Sequence, residues 1–371
     1  MCYKLNLYQF HSDKMIMIKN IYTAALIGTG RIGFTLGFDK KREQPASHTM
    51  ALLGNRRIKL VAAADTDLKK LEEWKQYVKK HGKNQAKNVQ IFSSSEDLYK
   101  TFAASDASKS TVPDIITIAV NEASHLEECI KAIKARPQLV ILEKPVALNS
   151  TEAKKIADTA WENQVSVMIN HERRFAADYN EAKAFIKKIG KLQSVRGELY
   201  SGLRIYGKEF ESDGSYSLLH DGTHLVDIIS WLLEENLHNP IVTGIFCDDK
   251  SVVRNFSAHY KTASCPDVSI YMSGRSRFFS FGIDILGTEG RISIGNGYAK
   301  FYKRKESKLY SGFYSLSKDT SIRLPKKTGY FSNMIQNAVD FLDEAASLKS
   351  PLDDAIKDLR TLEEIKAAFC S

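Results

Sequence analysis

Paired cysteines are missing from this sequence. Its five cysteines, Cys2, Cys129, Cys247, Cys265 and Cys370, are scattered without C-x-x-C or regular ligand spacing. That pattern argues against a disulfide scaffold, a zinc cluster and a redox pair, and it fits a reducing cytoplasm. Long apolar runs are missing too. None approaches the roughly 18 residues that a membrane helix needs, so no membrane association is expected. Residues 1–20 break their apolar positions with Lys4, His11, Asp13, Lys14 and Lys19, which does not read as a signal peptide. With Met15 and Met17 just before the first strand, this stretch is treated as an N-terminal extension outside the fold, flexible or an over-long gene start. There is no internal repeat and no low-complexity linker, so closely joined domains with a ligand cleft between them are expected.

Acidic residues are in deficit, 44 against 53 Lys and Arg, for a net charge of +9. The excess is diffuse. Its densest stretches, Lys69–Lys87 and Lys303–Lys308, lack the interleaved aromatics of a base-stacking platform. They read as solvated faces with a modest pull on anionic substrates, and no nucleic-acid partner is expected.

What is present is enough apolar material for two cores: 371 residues, 43% hydrophobic and 26% charged, a globular composition. From Tyr22 onward, short Val- and Ile-rich runs alternate with helix-length segments. Tyr22–Ile27, Ile58–Ala64, Val89–Phe92, Ile115–Ala119, Leu139–Glu143 and Val165–Asn170 read as strands of a doubly wound parallel sheet, a Rossmann domain. Thr66 or Asp67, Ser94 with Asp97, and Asn149 or Ser150 supply helix N-caps. After about Ile189 the strand-like runs Val195–Tyr200, Ile241–Cys247, Val268–Ser273, Phe278–Leu286 and Arg291–Ile294 follow mostly without helices between them. One helix over Leu218–Leu233 interrupts them, and two more, Phe331–Leu348 and Asp353–Phe369, close the chain. The fold class is therefore α/β, a nucleotide-binding domain over 21–146 followed by an α+β domain over 147–371 with a mainly antiparallel sheet. The far face of that sheet has no helix layer to cover it, which suggests a homodimer or homotetramer.

Gly28-Thr29-Gly30-Arg31-Ile32-Gly33 follows the first strand directly and is expected to open a helix. Gly28 permits the tight turn, Gly30 leaves room for a pyrophosphate, Gly33 allows close packing, and the amides face phosphate. Asp65, ending the second strand, is placed to accept from the adenosine ribose, which favours NAD over NADP; Lys69 and Lys70 nearby weaken that preference, and a plain helix cap is its structural alternative. It lies 32 residues beyond Gly33 where about 20 is usual, so an insertion is expected within Phe38–His48. Glu143-Lys144-Pro145 closes the fifth strand, at the sheet edge where such folds bind ligands, and a lysine there can steady an alkoxide.

These motifs, with Ala123-Ser124-His125, Asn170-His171-Glu172-Arg173-Arg174-Phe175, Asp221-Gly222-Thr223-His224-Leu225-Val226-Asp227 and Gly287-Thr288-Glu289-Gly290, resemble the glucose–fructose oxidoreductase, inositol dehydrogenase and rhizopine-catabolism (Gfo/Idh/MocA) family. The likeness runs from about Tyr22 over nearly the whole chain. It implies hydride transfer between a nicotinamide and a sugar, cyclitol or nucleotide-sugar, with Lys144 and His224 acting on the substrate hydroxyl. It also implies cofactor contacts from the glycine turn, Asp65, Val120, Asn121, His125, Glu143 and Lys144. Two departures stand out. His220 occupies a place where many members carry an aspartate, with Asp221 shifted by one, and Val120-Asn121 replaces the usual Thr-Pro.

Substrate contacts are expected from Lys144, Arg173, Arg174, Tyr206, His220, Asp221 and His224. Each arginine serves equally well in a structural ion pair, and Tyr200 and Tyr206 as packing residues. His220 and His224, at i and i+4 on one helix face, have the spacing of a metal pair, but no third ligand is evident and no metal is expected. Two other readings remain: a glycoside hydrolase of the same family that keeps its NAD, and a non-catalytic nucleotide sensor or scaffold.

Overall fold

The computed structural model describes residues 19–82, 86, 88–103, 112–202, 215–249 and 251–369. The chain forms two compact units, Met1–Phe175 with Gly329–Ile356, and Ala176–Thr328 with Lys357–Ser371.

The first unit holds six parallel strands, β1 (Tyr22–Ile27), β2 (Ile58–Ala64), β3 (Gln90–Phe92), β4 (Ile115–Ile118), β5 (Leu139–Leu142) and β6 (Ser166–Ile169), in the order β3-β2-β1-β4-β5-β6. β4 and β5 are buried at every position, as strands covered on both faces must be. The helices between them are α1 (His48–Gly54), α2 (Leu68–His81), α3 (Ser95–Ala103), α4 (His125–Lys134) and α5 (Ser150–Asn163). Asp67 caps α2 by accepting from the Lys69 and Lys70 amides, and Asn149 caps α5.

The units divide at 175/176, later than the 146/147 boundary read from the sequence. β6 pairs along its length with β5, which draws α5 and β6 into the first unit. Near the other end of the chain, α9 (Tyr330–Leu342) sends Phe331, Met334, Ile335, Ala338, Val339 and Leu342 into the core shared by Tyr22, Leu52 and Leu60.

Glycine motif and helix part company here. After Gly33 the chain makes a turn and a short 3-10 segment, Thr35–Phe38, and α1 begins only at His48. The His48 and Thr49 amides donate back to the Ile32 and Gly33 carbonyls, at 3.1 and 3.0 Å. The helix expected after the glycines thus resumes past an excursion over 34–47, which accounts for the long spacing to Asp65.

In the second unit, eight strands run in the order β14-β13-β12-β11-β7-β10-β9-β8. They are β7 (Leu192–Gly202), β8 (Ile241–Cys247), β9 (Val253–Tyr260), β10 (Val268–Ser276), β11 (Ser280–Gly287), β12 (Gly290–Gly295), β13 (Tyr298–Glu306) and β14 (Tyr314–Lys318). All neighbours are antiparallel except β7 and β10. α6 (Ala177–Ile186) packs on β12 and β13, and α8 (Gly222–Leu233) on β7 and β10. A Cβ at Gly197 would stand 2.6 Å from Ile229, so glycine lets α8 lie close on β7. On β11, Phe281, Ile283 and Ile285 are buried while Asp284 alternates to the other side.

The single helix expected over Leu218–Leu233 is instead α7 (Ser215–His220) and α8, separated by Asp221. The last helix is α10 (Leu352–Ala367). Among the described residues no helix is long and apolar enough to cross a membrane.

Candidate functional site

In the order β2-β1-β4-β5, the carboxyl ends of four adjacent strands lead into Asp65, Gly28–Gly33, Val120–Asn121 and Glu143–Lys144. β1 and β4 flank the point where the winding direction reverses, the crevice in which such sheets take ligands.

Gly28 adopts φ +92°, and a Cβ there would meet the Ala119 carbonyl oxygen at 2.6 Å. A Cβ on Gly33 would stand 2.1 Å from the Gly28 oxygen, so only glycine lets the turn close on itself. Gly30 faces open space, with nothing within 4 Å of its Cβ position. The Gly28 amide donates to the Ala64 carbonyl and the Phe34 amide to that of Gly30, while the amides of Gly30, Arg31, Ile32 and Gly33 meet no acceptor among the described residues. Four successive N–H groups beside an open glycine suit a pyrophosphate, so the turn fits a dinucleotide.

Asp65 holds this turn from the neighbouring strand. Its Oδ2 accepts from the Thr29 amide at 2.6 Å and the Thr29 hydroxyl at 2.8 Å, and its Oδ1 from the Asp67 amide at 2.9 Å. It is not the cap of α2, since Asp67 fills that role. Three of about four acceptor positions are thus occupied within the protein.

Val120 packs its Cγ1 toward Gly28, and Asn121 accepts from the Ser124 amide and hydroxyl. His125, 1% exposed, sets Nδ1 2.6 Å from the Pro145 carbonyl and Nε2 3.3 Å from that of Val120. Burial pushes its pKa down, against the hydrogen bonds and the charge of Glu143. Both ring nitrogens face carbonyl oxygens, and Nδ1 makes the shorter contact. His125 therefore joins the turn after β4 to the segment after β5.

Glu143 is buried and accepts at one oxygen from His48 Nε2, 2.5 Å away, and from Asn170 Nδ2, 2.7 Å away. Burial alone pushes its carboxyl up. The His48 hydrogen bond and charge, the Asn170 bond and the charge of Lys144 outweigh that, and the net shift is downward. In the run Leu139–Ala147, Lys144 is the one residue that is not buried.

The two arginines part company. Arg174 is 1% exposed and donates to Asp354 at 2.7 Å and to the Lys349 carbonyl at 3.1 Å, the structural ion pair of its two readings. Arg173 lies 3.4 Å from Glu172, and its charge together with that of Arg42 reaches the Tyr330 phenol, whose pKa is raised to about 12, chiefly by burial.

His220, Asp221 and His224 belong to the second unit. His220 closes α7 and His224 lies in the first turn of α8, so they do not share one continuous helix as the i, i+4 pattern implied; both are half-buried. A Cβ on Gly222 would come within 2.9 Å of Met272, which fits the chain pressing against β10 where the helices meet. Tyr200 donates to Glu198 at 3.3 Å with its ring 5.6 Å from those of Tyr271 and Phe278, the packing role. Tyr206 lies outside the described residues.

Sequence reasoning missed His48 and the partnership of Asn170 with Glu143. No local signal marks them: His48 and Glu143 are 95 residues apart, and the excursion over 34–47 is what brings α1 to the strand end.

Residues 22–171 match the model of an oxidoreductase family with an NAD-binding Rossmann fold. No curated protein sequence matches the chain. Among solved structures, UDP-N-acetylglucosamine 3-dehydrogenase from Acidithiobacillus ferrooxidans is 14% identical at a TM-score of 0.71, covering 94% of this chain and 97% of its own. An oxidoreductase from Agrobacterium radiobacter, in complex with NAD+, L-tartaric acid and magnesium, is 17% identical at 0.69, covering 93% and 96%. The WlbA dehydrogenase from Chromobacterium violaceum, in complex with NADH and UDP-GlcNAcA, is 16% identical at 0.67, covering 95% of each chain. At these identities the likeness is one of fold.

Proposed function

Residues 22–171 belong to the Gfo/Idh/MocA oxidoreductases with their NAD-binding Rossmann fold, and from that premise we propose that the chain is an NAD-dependent dehydrogenase or reductase acting on the hydroxyl or carbonyl carbon of a sugar-like substrate. The observation that carries the reading is the convergence, on adjacent strand ends, of an open amide turn and a half-buried lysine between buried neighbours. The amides of residues 30–33 hold the pyrophosphate, and the Thr29–Asp65 clip keeps them aligned. Bound nicotinamide supplies the two-electron hydride acceptor or donor. In oxidation, Lys144 donates to the substrate oxygen and steadies the developing alkoxide, and His224 takes the hydroxyl proton; reduction runs these steps in reverse.

Asp65 favours NAD through its charge, which opposes a 2′-phosphate even while its oxygens hold Thr29. Lys70, which would weaken that preference, is paired with Asp67 at 3.0 Å. Two structures of similar fold, one named for UDP-N-acetylglucosamine and one bound to UDP-GlcNAcA, and the surplus of cations in this chain set the order in which substrates are tested. Anionic nucleotide-sugars and sugar acids are the first to test.

The experiment is twofold. Calorimetric titration compares NAD with NADP, and nicotinamide absorbance follows turnover over a panel of nucleotide-sugars, sugar acids, free sugars and cyclitols. NAD binds more tightly and a member of the panel reduces it. Failure of both cofactors to bind sinks the reading, whereas binding without turnover on any class leaves a nucleotide sensor in its place.

A further inference from the structure

We infer that Thr49 and Trp74 are positioning residues for the pyrophosphate of the cofactor, the buried end of a chain of hydrogen bonds that runs through the glycine turn to the Arg31 amide. The inference rests on the reading of that turn as the pyrophosphate site. Trp74, on α2, and Thr49, in the first turn of α1, are both fully buried. The indole Nε1 donates to the Thr49 hydroxyl at 2.8 Å, and that hydroxyl donates to the Gly33 carbonyl at 2.6 Å. An indole N–H can only donate. The direction is therefore fixed: the hydroxyl oxygen accepts from Trp74, and its proton points to Gly33.

From Gly33 the chain continues through peptide units. The Gly33 carbonyl shares its peptide with the Phe34 amide, which donates to the Gly30 carbonyl at 2.9 Å. The Gly30 carbonyl in turn shares its peptide with the Arg31 amide, one of the four that the turn presents. A carbonyl that accepts a hydrogen bond makes the N–H of its own peptide a stronger donor. The bonds from Trp74, Thr49 and Phe34 thus polarise in one sense, toward the Arg31 N–H, and a phosphate oxygen there completes the row. A shorter row starts at the His48 amide, which donates to the Ile32 carbonyl at 3.1 Å and so acts on the Gly33 N–H.

The excursion over 34–47 explains why side chains take this part. In an unbroken helix the Ile32 and Gly33 carbonyls would accept from the amides four residues on. Here the Leu36 and Gly37 amides turn to the Arg31 and Phe34 carbonyls instead, at 2.7 and 3.1 Å, and the Ile32 and Gly33 carbonyls take the His48 and Thr49 amides. α1 is spliced onto the turn across a gap of 16 residues, and the Thr49 hydroxyl with the Trp74 indole braces the splice where a continuous helix would need no side chain.

The test is calorimetric titration of the full-length protein with ADP-ribose, which carries the pyrophosphate without the nicotinamide. Beside it, the nuclear magnetic resonance signal of the Trp74 indole proton is followed, assigned by its loss in Trp74→Phe. Thr49→Val keeps the shape and cuts the chain, and it weakens ADP-ribose about fivefold or more, the size of one neutral hydrogen bond. Thr49→Ser keeps the hydroxyl and binds within about twofold of the unmodified protein. Trp74→Phe costs less than Thr49→Val, and adding it to Thr49→Val changes nothing further. Saturating ADP-ribose moves the indole signal downfield in the unmodified protein, as a strengthened chain requires, but not in Thr49→Val, where a ring-current effect of the adenine would persist. Thermal unfolding midpoints establish which variants are folded. Unweakened binding by folded Thr49→Val overturns the inference, as does an indole signal that stays still in the unmodified protein, which decides alone should Thr49→Val not fold. If the unmodified protein takes up no ADP-ribose, the reading of the turn falls together with the inference, so the two failures are separable.

Discussion

Replacing Lys144 by alanine leaves the four open amides and the Thr29–Asp65 clip in place. NAD affinity should therefore stay within about twofold while turnover falls by about 10² to 10⁴, the usual range for acid–base groups. His224→Ala should do the same. His220 decides between two roles: as a cleft residue its loss costs little, whereas as a relay its loss approaches that of His224 and the double variant is hardly worse than either single one. Steady-state kinetics on the substrate found in the panel is the check. Asp65 calls for a different expectation from a ribose ligand alone. Because its Oδ2 takes two hydrogen bonds from Thr29, Asp65→Ala should loosen the turn and weaken NAD about tenfold or more, since a charge-assisted bond is worth about 1.5–3 kcal/mol. Thr29→Val removes the hydroxyl bond alone and should cost less. Calorimetry that finds Asp65→Ala unchanged for NAD would exclude the clip. Asp65 was legible in the sequence as an acid at the second strand end, but which partner it holds was not, since nothing local tells a carboxylate whether an amide of the next strand stands closer than a ligand.

Among the elements, α9 shows how a distant segment is secured. Asp343, just past its end, accepts from Arg57 at 3.0 and 2.9 Å and from the Tyr22 hydroxyl at 2.7 Å, tying the helix to the starts of β1 and β2. The Arg57 bond, against some burial, holds the Asp343 carboxyl below its usual range, and burial with the Asp343 bond pushes the Tyr22 phenol up to about 12. A depressed acid stabilises the fold above its unfolded value of about 4, and that contribution fades as pH falls through the folded value; a raised phenol stabilises below about 10, and its share is lost as pH climbs toward the folded value. Asp343→Asn should cost about 1 kcal/mol at neutral pH, discounted for the part-exposed guanidinium. Chemical denaturation should show that difference shrinking at both extremes, and a pH-independent difference would refute the clamp. Strand legibility follows the same logic of environment. β1, β2, β4 and β8 are plain as apolar runs, whereas β9, β13 and β14 carry no such mark. Asn255, Ser257 and His259 dilute β9, and Lys300, Lys303, Arg304 and Lys305 give β13 the pattern of a charged loop. Backbone pairing at the sheet margin, not side-chain hydrophobicity, makes β13 and β14 strands.

At the scale of the molecule, the face of the second sheet that carries Asp284 is open among the described residues. Ser194, Arg196, Glu198, Asp284, Arg291, Tyr298 and Leu316 line a trough of about 470 Å³ there, and Asp284 and Arg291, paired with each other, keep 36% and 45% of their side chains exposed. A homodimer or homotetramer through this face is the expected state, measured by light scattering at micromolar concentration. Leu316→Glu with Tyr298→Glu should shift it toward monomer, and an unmodified protein that is already monomeric would count against the arrangement. The sequence by itself determined the parallel sheet, the glycine turn and the lysine at the fifth strand end, because burial on both faces, backbone room at glycine and strand-end position are each written in short stretches of residues. Only the tertiary structure decided that the helix after the glycine turn begins at His48, that Asp65 grips Thr29, that Arg174 is consumed by Asp354, and that two buried histidines bracket Lys144. These are contacts between segments tens of residues or more apart, set by how the strands are ordered and where an excursion returns, and no local pattern of residue types encodes them.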